Sequence, residues 1–191
     1  MSIHDIIKAS ANLKQLMLED TVLHQRLEKA IDLCVKTLKN DGKILFCGNG
    51  GSAADAQHLA AELSGRYYYD RPPLYAEALH VNTSYLTAVA NDYDFDSVYS
   101  RMVEAAGRKG DILVGLSTSG NSTNVIKALE KANELGMHTI AFTGQTGGRM
   151  KELTNVLLNV PSTDTPRVQE GHILLGHILC QMIEEQIFPK T

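Results

Sequence analysis

The feature that most constrains this chain is a unit that occurs twice: a short apolar run, a loop dense in glycine or hydroxyl residues, and a helix-patterned stretch behind it. Lys43-Ile44-Leu45-Phe46-Cys47 stops at Gly48-Asn49-Gly50-Gly51, after which Ser52 is placed to cap a helix reaching about Tyr68. Asp111-Ile112-Leu113-Val114-Gly115-Leu116 likewise runs into Ser117-Thr118-Ser119-Gly120-Asn121-Ser122, and a helix from about Thr123 to Leu135 is ended by Gly136. A third apolar run, Thr139 to Thr143, follows at once, and further strands are predicted at Ala78 to Val81 and Val156 to Val160. Strands alternating with helices require an α/β sandwich of three layers, with a central parallel sheet covered on both faces.

Two helices are expected ahead of this core. Leu23, Leu27, Ala30, Ile31, Cys34 and Leu38 recur at the spacing of one helix face that ends near Asn40-Asp41-Gly42, and Ile3 to Glu19 shows a weaker version of the pattern. Arg167 to Ile187 reads as a long C-terminal helix. The 191 residues suit one domain spanning 1–191. A net charge of −4 argues against a nucleic-acid partner. Cys34, Cys47 and Cys180 are far apart and odd in number, which suits a reducing cytoplasm rather than a disulfide framework. Neither a signal peptide nor a membrane span is expected, and a cytoplasmic location follows from the same reading.

In open parallel sheets ligands bind beyond the carboxyl ends of the strands, where both loops fall. Ser117 to Ser122 offers four hydroxyls, a carboxamide and backbone N–H groups at a helix start, a combination suited to the phosphate of a sugar phosphate. A hydroxyl turn with a helix cap would use one or two of these groups, not four. Gly48-Asn49-Gly50-Gly51-Ser52-Ala53 also fits a dinucleotide fingerprint, with Asp70 about 20 residues on as its ribose contact. Asp70, however, lies in a tyrosine- and proline-rich loop rather than at a strand end, so that reading ranks below the phosphate loop.

His58 and Glu62 stand at i and i+4, one turn apart on one helix face, which Arg66 continues. Gln169 and His177 are eight residues apart on the last helix, about 80° around its axis, with His172 between them. Spacing alone leaves two readings open: ordinary helix contacts and core histidines, or a catalytic set if the two helices meet.

Taken together, Cys47-Gly48-Asn49-Gly50-Gly51-Ser52, Ala90-Asn91-Asp92, Ser117-Thr118-Ser119-Gly120-Asn121-Ser122 and Arg167-Val168-Gln169-Glu170 resemble the sugar-isomerase (SIS) domain family, and within it the phosphoheptose isomerase branch, over nearly the whole chain. The resemblance implies a flavodoxin-like sandwich and a homotetramer with shared sites, in which the N-terminal helices, about residues 1–40, pack on the core and on partner subunits. The implied reaction is conversion of sedoheptulose 7-phosphate to D-glycero-D-manno-heptose 7-phosphate, the first step towards the ADP-heptose of the lipopolysaccharide core. Carried over by position, substrate contacts fall on Asn49, Gly50, Gly51, Ser52, Glu62, Asn91, Asp92, Ser117, Thr118, Ser119, Ser122 and Gln169. Zinc ligands fall on His58, Glu62, Gln169 and His177, with Glu62 and His177 also the implied acid/base pair. A carboxylate or imidazole bound to zinc is not at that moment free to take a proton, so one role yields or Glu62 divides its oxygens. The chain departs from some family members at Pro166, where they place an acid, which touches a sugar contact and spares the core pair.

Two other classes share the fold. A non-catalytic relative that associates with a replication initiator lacks the glutamate and the last-helix histidine that stand here as Glu62 and His177. Sugar-phosphate-sensing regulators carry a DNA-binding domain for which this chain has no room.

Overall fold

The computed structural model describes residues 2–190. Helix α1 (Ile3–Glu19) opens on a capping box in which the Ser2 hydroxyl accepts from the Asp5 N–H and Asp5 accepts from the Ser2 N–H, and α2 (Thr21–Lys39) is capped by Asp20. The core follows as β1 (Ile44–Gly48), α3 (Gly51–Ser64), β2 (Ala76–Ala78), α4 (Thr83–Asp92), α5 (Val98–Ala106), β3 (Ile112–Ser117), α6 (Thr123–Glu134), β4 (His138–Thr143), β5 (Val156–Asn159) and α7 (Thr165–Ile187), with short 3₁₀ turns at Phe95–Ser97 and Gly148–Leu153.

All five strands are parallel, in the order β2-β1-β3-β4-β5. The chain steps outward from β1 to β2 on one side and from β3 through β5 on the other. The β1/β3 boundary is therefore the switch point, where two neighbouring strands send their helices to opposite faces and open a crevice between them. Burial follows the strand period of two. Ile44, Phe46, Ile112, Val114, Leu116, Ile140 and Phe142 pack under α1, α2, α3 and α7, whereas Leu45, Cys47, Leu113 and Ala141 face α4, α5 and α6. α1 buries only Leu13 and Met17, leaving Ile3, Ile7, Leu16 and Leu18 exposed.

Three expectations shift. Ser52 is inside α3 rather than its cap, because the chain turns into the helix two residues earlier at Gly50, whose φ is +56°. α3 stops at Ser64, four residues short of Tyr68, because the buried Arg71 guanidinium donates to the carbonyls of Glu62, Leu63 and Gly65 and so ends the helix from outside. β2 lies at Ala76–Ala78 instead of Ala78 to Val81: the Leu79 N–H still reaches the Phe46 carbonyl, but Val81 is exposed. α4 and α5, between β2 and β3, correspond to no expectation drawn from the sequence.

Candidate active site

Both loops leave the sheet at the same level, since Gly48 pairs with Leu116 at the end of the β1/β3 ladder. The first closes tightly through bonds from Ser52 N–H to the Asn49 carbonyl and from Ala53 N–H to the Gly50 carbonyl. Gly48 has no room for a side chain, because a Cβ there would come 2.7 Å from the Ser52 carbonyl. The buried Tyr99 hydroxyl donates to the Gly48 carbonyl at 2.5 Å, pinning the loop from α5.

The second loop is braced from the other side. Gly120, at φ +68°, lies so close to the Gly147 carbonyl that any Cβ would clash, and the Met150 N–H reaches the Gly120 carbonyl. Asn121 donates to the Ser119 carbonyl and accepts from the Arg149 N–H, so this carboxamide holds the loop in shape and does not face a ligand. Ser119 Oγ accepts the Asn121 N–H, the turn-forming role a serine often plays. Ser122 stands at the N-cap of α6 but makes no capping bond; its hydroxyl instead meets Ser117 Oγ at 2.8 Å. Of the first amides of α6, that of Val125 is taken by Asn124 Oδ1, while those of Thr123 and Asn124 are left to an incoming anion.

Between the loops is a cleft of about 340 Å³. Asn49, Gly50, Gly51 and Ser52 form one wall, Ser117, Thr118 and Ser122 the other, with Gln169 and Thr165 of α7 across the opening. Gly51 and Gln169 are matched in size: a Cβ at Gly51 would stand 2.5 Å from the Gln169 carboxamide nitrogen. A similar cleft of about 370 Å³ at the opposite end of the sheet is lined by Lys36, Lys43, Arg108 and Asp111. There helices end rather than begin, so their carbonyl dipoles repel an anion, and Lys43 is already paired with Asp111 at 2.6 Å.

Where spacing left the matter open, α3 and α7 do meet. His58, Glu62 and His177 each offer a ligand atom, all within 4.8 Å of one another. His58 Nε2 lies 2.9 Å from Glu62 Oε1, and the His58 and His177 rings meet edge to face at 5.1 Å. Two imidazoles and one carboxylate, half-exposed with a side left open, form a donor set that fits a catalytic divalent metal. Tyr67 closes another side, its ring 5.9 Å from that of His177.

This meeting is secured by a buried ion pair. Arg71 Nε donates to Glu184 Oε2 at 3.0 Å, with the two side chains 2% and 1% exposed. Arg71 also binds the carbonyls at the end of α3, while Glu184, two turns beyond His177 on α7, accepts the N–H groups of Tyr67 and Tyr68. These bonds and the guanidinium hold the Glu184 carboxyl below the usual range against the opposing effect of burial. One pair thus fastens the helix of Glu62 to that of His177. His172, on α7 between Gln169 and His177, is fully buried against Phe142, and burial pushes its pKa down to about 4.

Of the residues expected to bind substrate, Asn49, Gly50, Gly51, Ser52, Ser117, Thr118, Ser122 and Gln169 share the cleft. Asn91 and Asp92 lie apart from its walls, exposed at the end of α4 and bonded to each other at 2.8 Å. Ser119 is likewise exposed, but its hydroxyl stands 3.5 Å from that of the cleft-lining Ser117. Of the four expected metal positions, His58, Glu62 and His177 converge, while Gln169 rests against Gly51 in the cleft. Pro166 sits in the first turn of α7, where its missing N–H costs nothing. Sequence reading missed Arg71, Glu184, Tyr67, Thr165 and Asn124; the bonds that matter here, Arg71 to Glu184, Tyr67 to Glu184 and Asn124 to Asn49, join residues remote in the chain.

The SIS domain model matches residues 8–144. The chain is 56% identical over 169 residues to a phosphoheptose isomerase of Helicobacter pylori, covering 88% of each chain. It is 50% identical over 186 residues to one of Sulfurimonas denitrificans, covering 97% of this chain and 95% of the relative. Among solved structures, a phosphoheptose isomerase from Neisseria gonorrhoeae superposes with a TM-score of 0.89 at 49% identity, covering 96% of this chain and 97% of the other. One from Francisella tularensis reaches a TM-score of 0.92 at 36% identity over 96% of each. With this fold, these paired loops and this extent of identity, the chain belongs to the SIS domain family and, within it, to the phosphoheptose isomerases.

Proposed function

We propose that the protein interconverts sedoheptulose 7-phosphate and D-glycero-D-manno-heptose 7-phosphate, supplying heptose to the lipopolysaccharide core. The observation that carries this reading is the convergence of His58, Glu62 and His177 from two helices beside a cleft lined with hydroxyls and helix-start amides. The phosphate sits on the Ser117, Thr118 and Ser122 side, held by hydroxyls and by the first amides of α6. Gly50, Gly51 and Ser52 face the sugar chain from the opposite wall, and Gln169 orients the reacting end. Asn91, Asp92 and Ser119, exposed outside the cleft, complete the sugar contacts when substrate and neighbouring subunits are in place.

Glu62 takes a proton from C1 of the ketose to form the enediol and returns it to C2, while His177 carries the hydroxyl proton from O1 to O2; the exchange is internal and the atoms balance. Glu62 Oε1 is turned to His58, which supports a reading in which Oε2 takes the carbon-bound proton. His58, Glu62 and His177, with Gln169 as a weaker fourth ligand, would hold zinc, which supplies Lewis-acid polarisation of the substrate carbonyl when bound. The functional unit is a homotetramer, for which the exposed apolar stripe of α1 is the natural contact surface.

Turnover of sedoheptulose 7-phosphate by purified protein, followed by NMR with added zinc and after chelation, tests the reading. Appearance of the aldoheptose phosphate, lost on chelation and restored by zinc, is the expected result. Absence of product under every condition from folded protein overturns it.

A further inference from the structure

Asn124 belongs to none of the motifs that brought the cleft to notice, yet its side chain ties the two loops together. It lies in the first turn of α6, 3% exposed. Its Oδ1 accepts the Val125 N–H at 2.9 Å, which fixes the orientation of its carboxamide and points Nδ2 away from that amide. Nδ2 then donates to Asn49 Oδ1 at 2.9 Å, and Asn49 Nδ2 returns a bond to Asn124 Oδ1 at 2.8 Å. The two carboxamides form a closed reciprocal pair across the β1/β3 switch point, joining residues 75 positions apart in the chain.

We propose that Asn124 is a positioning residue that sets the spacing of the two loops through Asn49. The Asn49 carboxamide spends one N–H and one oxygen lone pair on Asn124, so its plane is fixed by the protein before any ligand arrives and only its second N–H is left for the cleft. The wall it belongs to offers other donors: Gly50 and Gly51 line the cleft, and a Cβ at Gly50 would meet nothing within 4 Å, so the backbone there is open to a ligand. The proposal rests on the reading of the cleft as a sugar-phosphate site. Its physical basis is preorganisation: loops held at fixed spacing before binding lose less freedom when the ligand arrives.

The test is a double-mutant cycle with Asn49→Ala, Asn124→Ala and the double variant, reading KM and kcat for sedoheptulose 7-phosphate and competitive inhibition by inorganic phosphate. Each single variant should raise KM and the phosphate inhibition constant by about tenfold, as expected for two lost amide bonds, with kcat within about threefold of wild type. The double variant should be no worse than either single one, because both remove the same pair. An Asn49→Ala loss that far exceeds that of Asn124→Ala, with additive effects in the double variant, overturns the proposal by placing the Asn49 amide on the ligand. A lowered melting temperature with unchanged KM and phosphate inhibition in Asn124→Ala overturns it too, leaving the pair a purely structural contact. If Asn124→Ala does not fold, Asn124→Asp keeps the acceptor for Asn49 and Val125 and carries the same expectation of a raised KM with a preserved kcat. A wild type that neither turns over the sugar nor binds phosphate removes the sugar-phosphate reading itself, whereas an active wild type with an unaffected Asn124 variant removes this proposal alone.

Discussion

The loop cleft and the histidine–glutamate cluster lie side by side but are built in different ways. The cleft takes its shape from backbone: strand ends in register, glycines where no Cβ fits, and helix starts that present amides, with short hydroxyl side chains along its wall. The cluster is made of side chains from α3 and α7, and its geometry is only as good as the packing of those two helices. A site made of backbone inherits its precision from the fold, while a site made of side chains needs a dedicated clamp, which here is the Arg71–Glu184 pair. Changes in the clamp and the cluster should therefore disturb chemistry and leave phosphate binding intact, and changes in the hydroxyl loop should do the reverse.

The largest effect is expected at the clamp. Arg71→Met leaves Glu184 buried without its partner, at a cost of about 3–5 kcal/mol in stability, measurable by chemical denaturation. Cobalt binding followed by its visible spectrum should weaken in the same variant, because His177 is no longer held against Glu62. Unaltered stability and unaltered cobalt binding would break the comparison at its base.

Next comes Glu62→Gln, which removes the base and should lower kcat by about 10² or more while inhibition by inorganic phosphate stays as in wild type. Turnover within a few-fold of wild type would show that another group moves the carbon-bound proton.

Acid should act on α7 through His172. Its folded pKa of about 4 lies below the ordinary value of 6.5, so the unfolded chain takes up the proton first. The stability this contributes is fully present above about pH 6.5 and is lost as the pH falls towards 4, about 2 kcal/mol of it between pH 7 and pH 5. Denaturation curves at these two pH values should differ less for His172→Met than for wild type, and an identical difference in both would show that His172 is protonated in the folded state.

The smallest effects belong to the hydroxyl loop and separate its members. Ser122→Ala, which removes a hydroxyl that lines the cleft, should raise KM by about tenfold, the worth of one charge-assisted bond. Ser119→Ala, which removes a hydroxyl already engaged by the Asn121 N–H, should raise it by no more than about threefold. Equal KM values for wild type and both variants would mean that the phosphate lies elsewhere.

Much of this was legible in the chain. The order of strands and helices, the two loops and the long last helix follow from local apolar spacing and glycine placement, which act over a few residues. The His58/Glu62 pairing was visible for the same reason, as was the position of Gln169 and His177 on one helix. α4 and α5 were not legible, because helices of 10 and 9 residues give fewer than three turns of pattern and the connection from β2 to β3 could have been a loop on sequence grounds alone. The early end of α3 was hidden too, since the group that stops it is Arg71, seven residues beyond the last helical residue. Asn121 illustrates a subtler miss: its place in a polar loop suggests ligand contact, whereas its partners, Ser119 and Arg149, make it a brace.

The sequence by itself determined the parallel sheet, its switch-point loops and the resemblance to sugar isomerases, because periodicity, turn chemistry and motif order are properties of neighbouring residues. Only the tertiary structure decided that His58 and Glu62 meet His177, that Arg71 and Glu184 hold them there, and that Asn49 spends its side chain on Asn124. Each of these joins groups dozens of residues apart or more, and their distance is set by the packing of helices on the sheet and not by any local pattern.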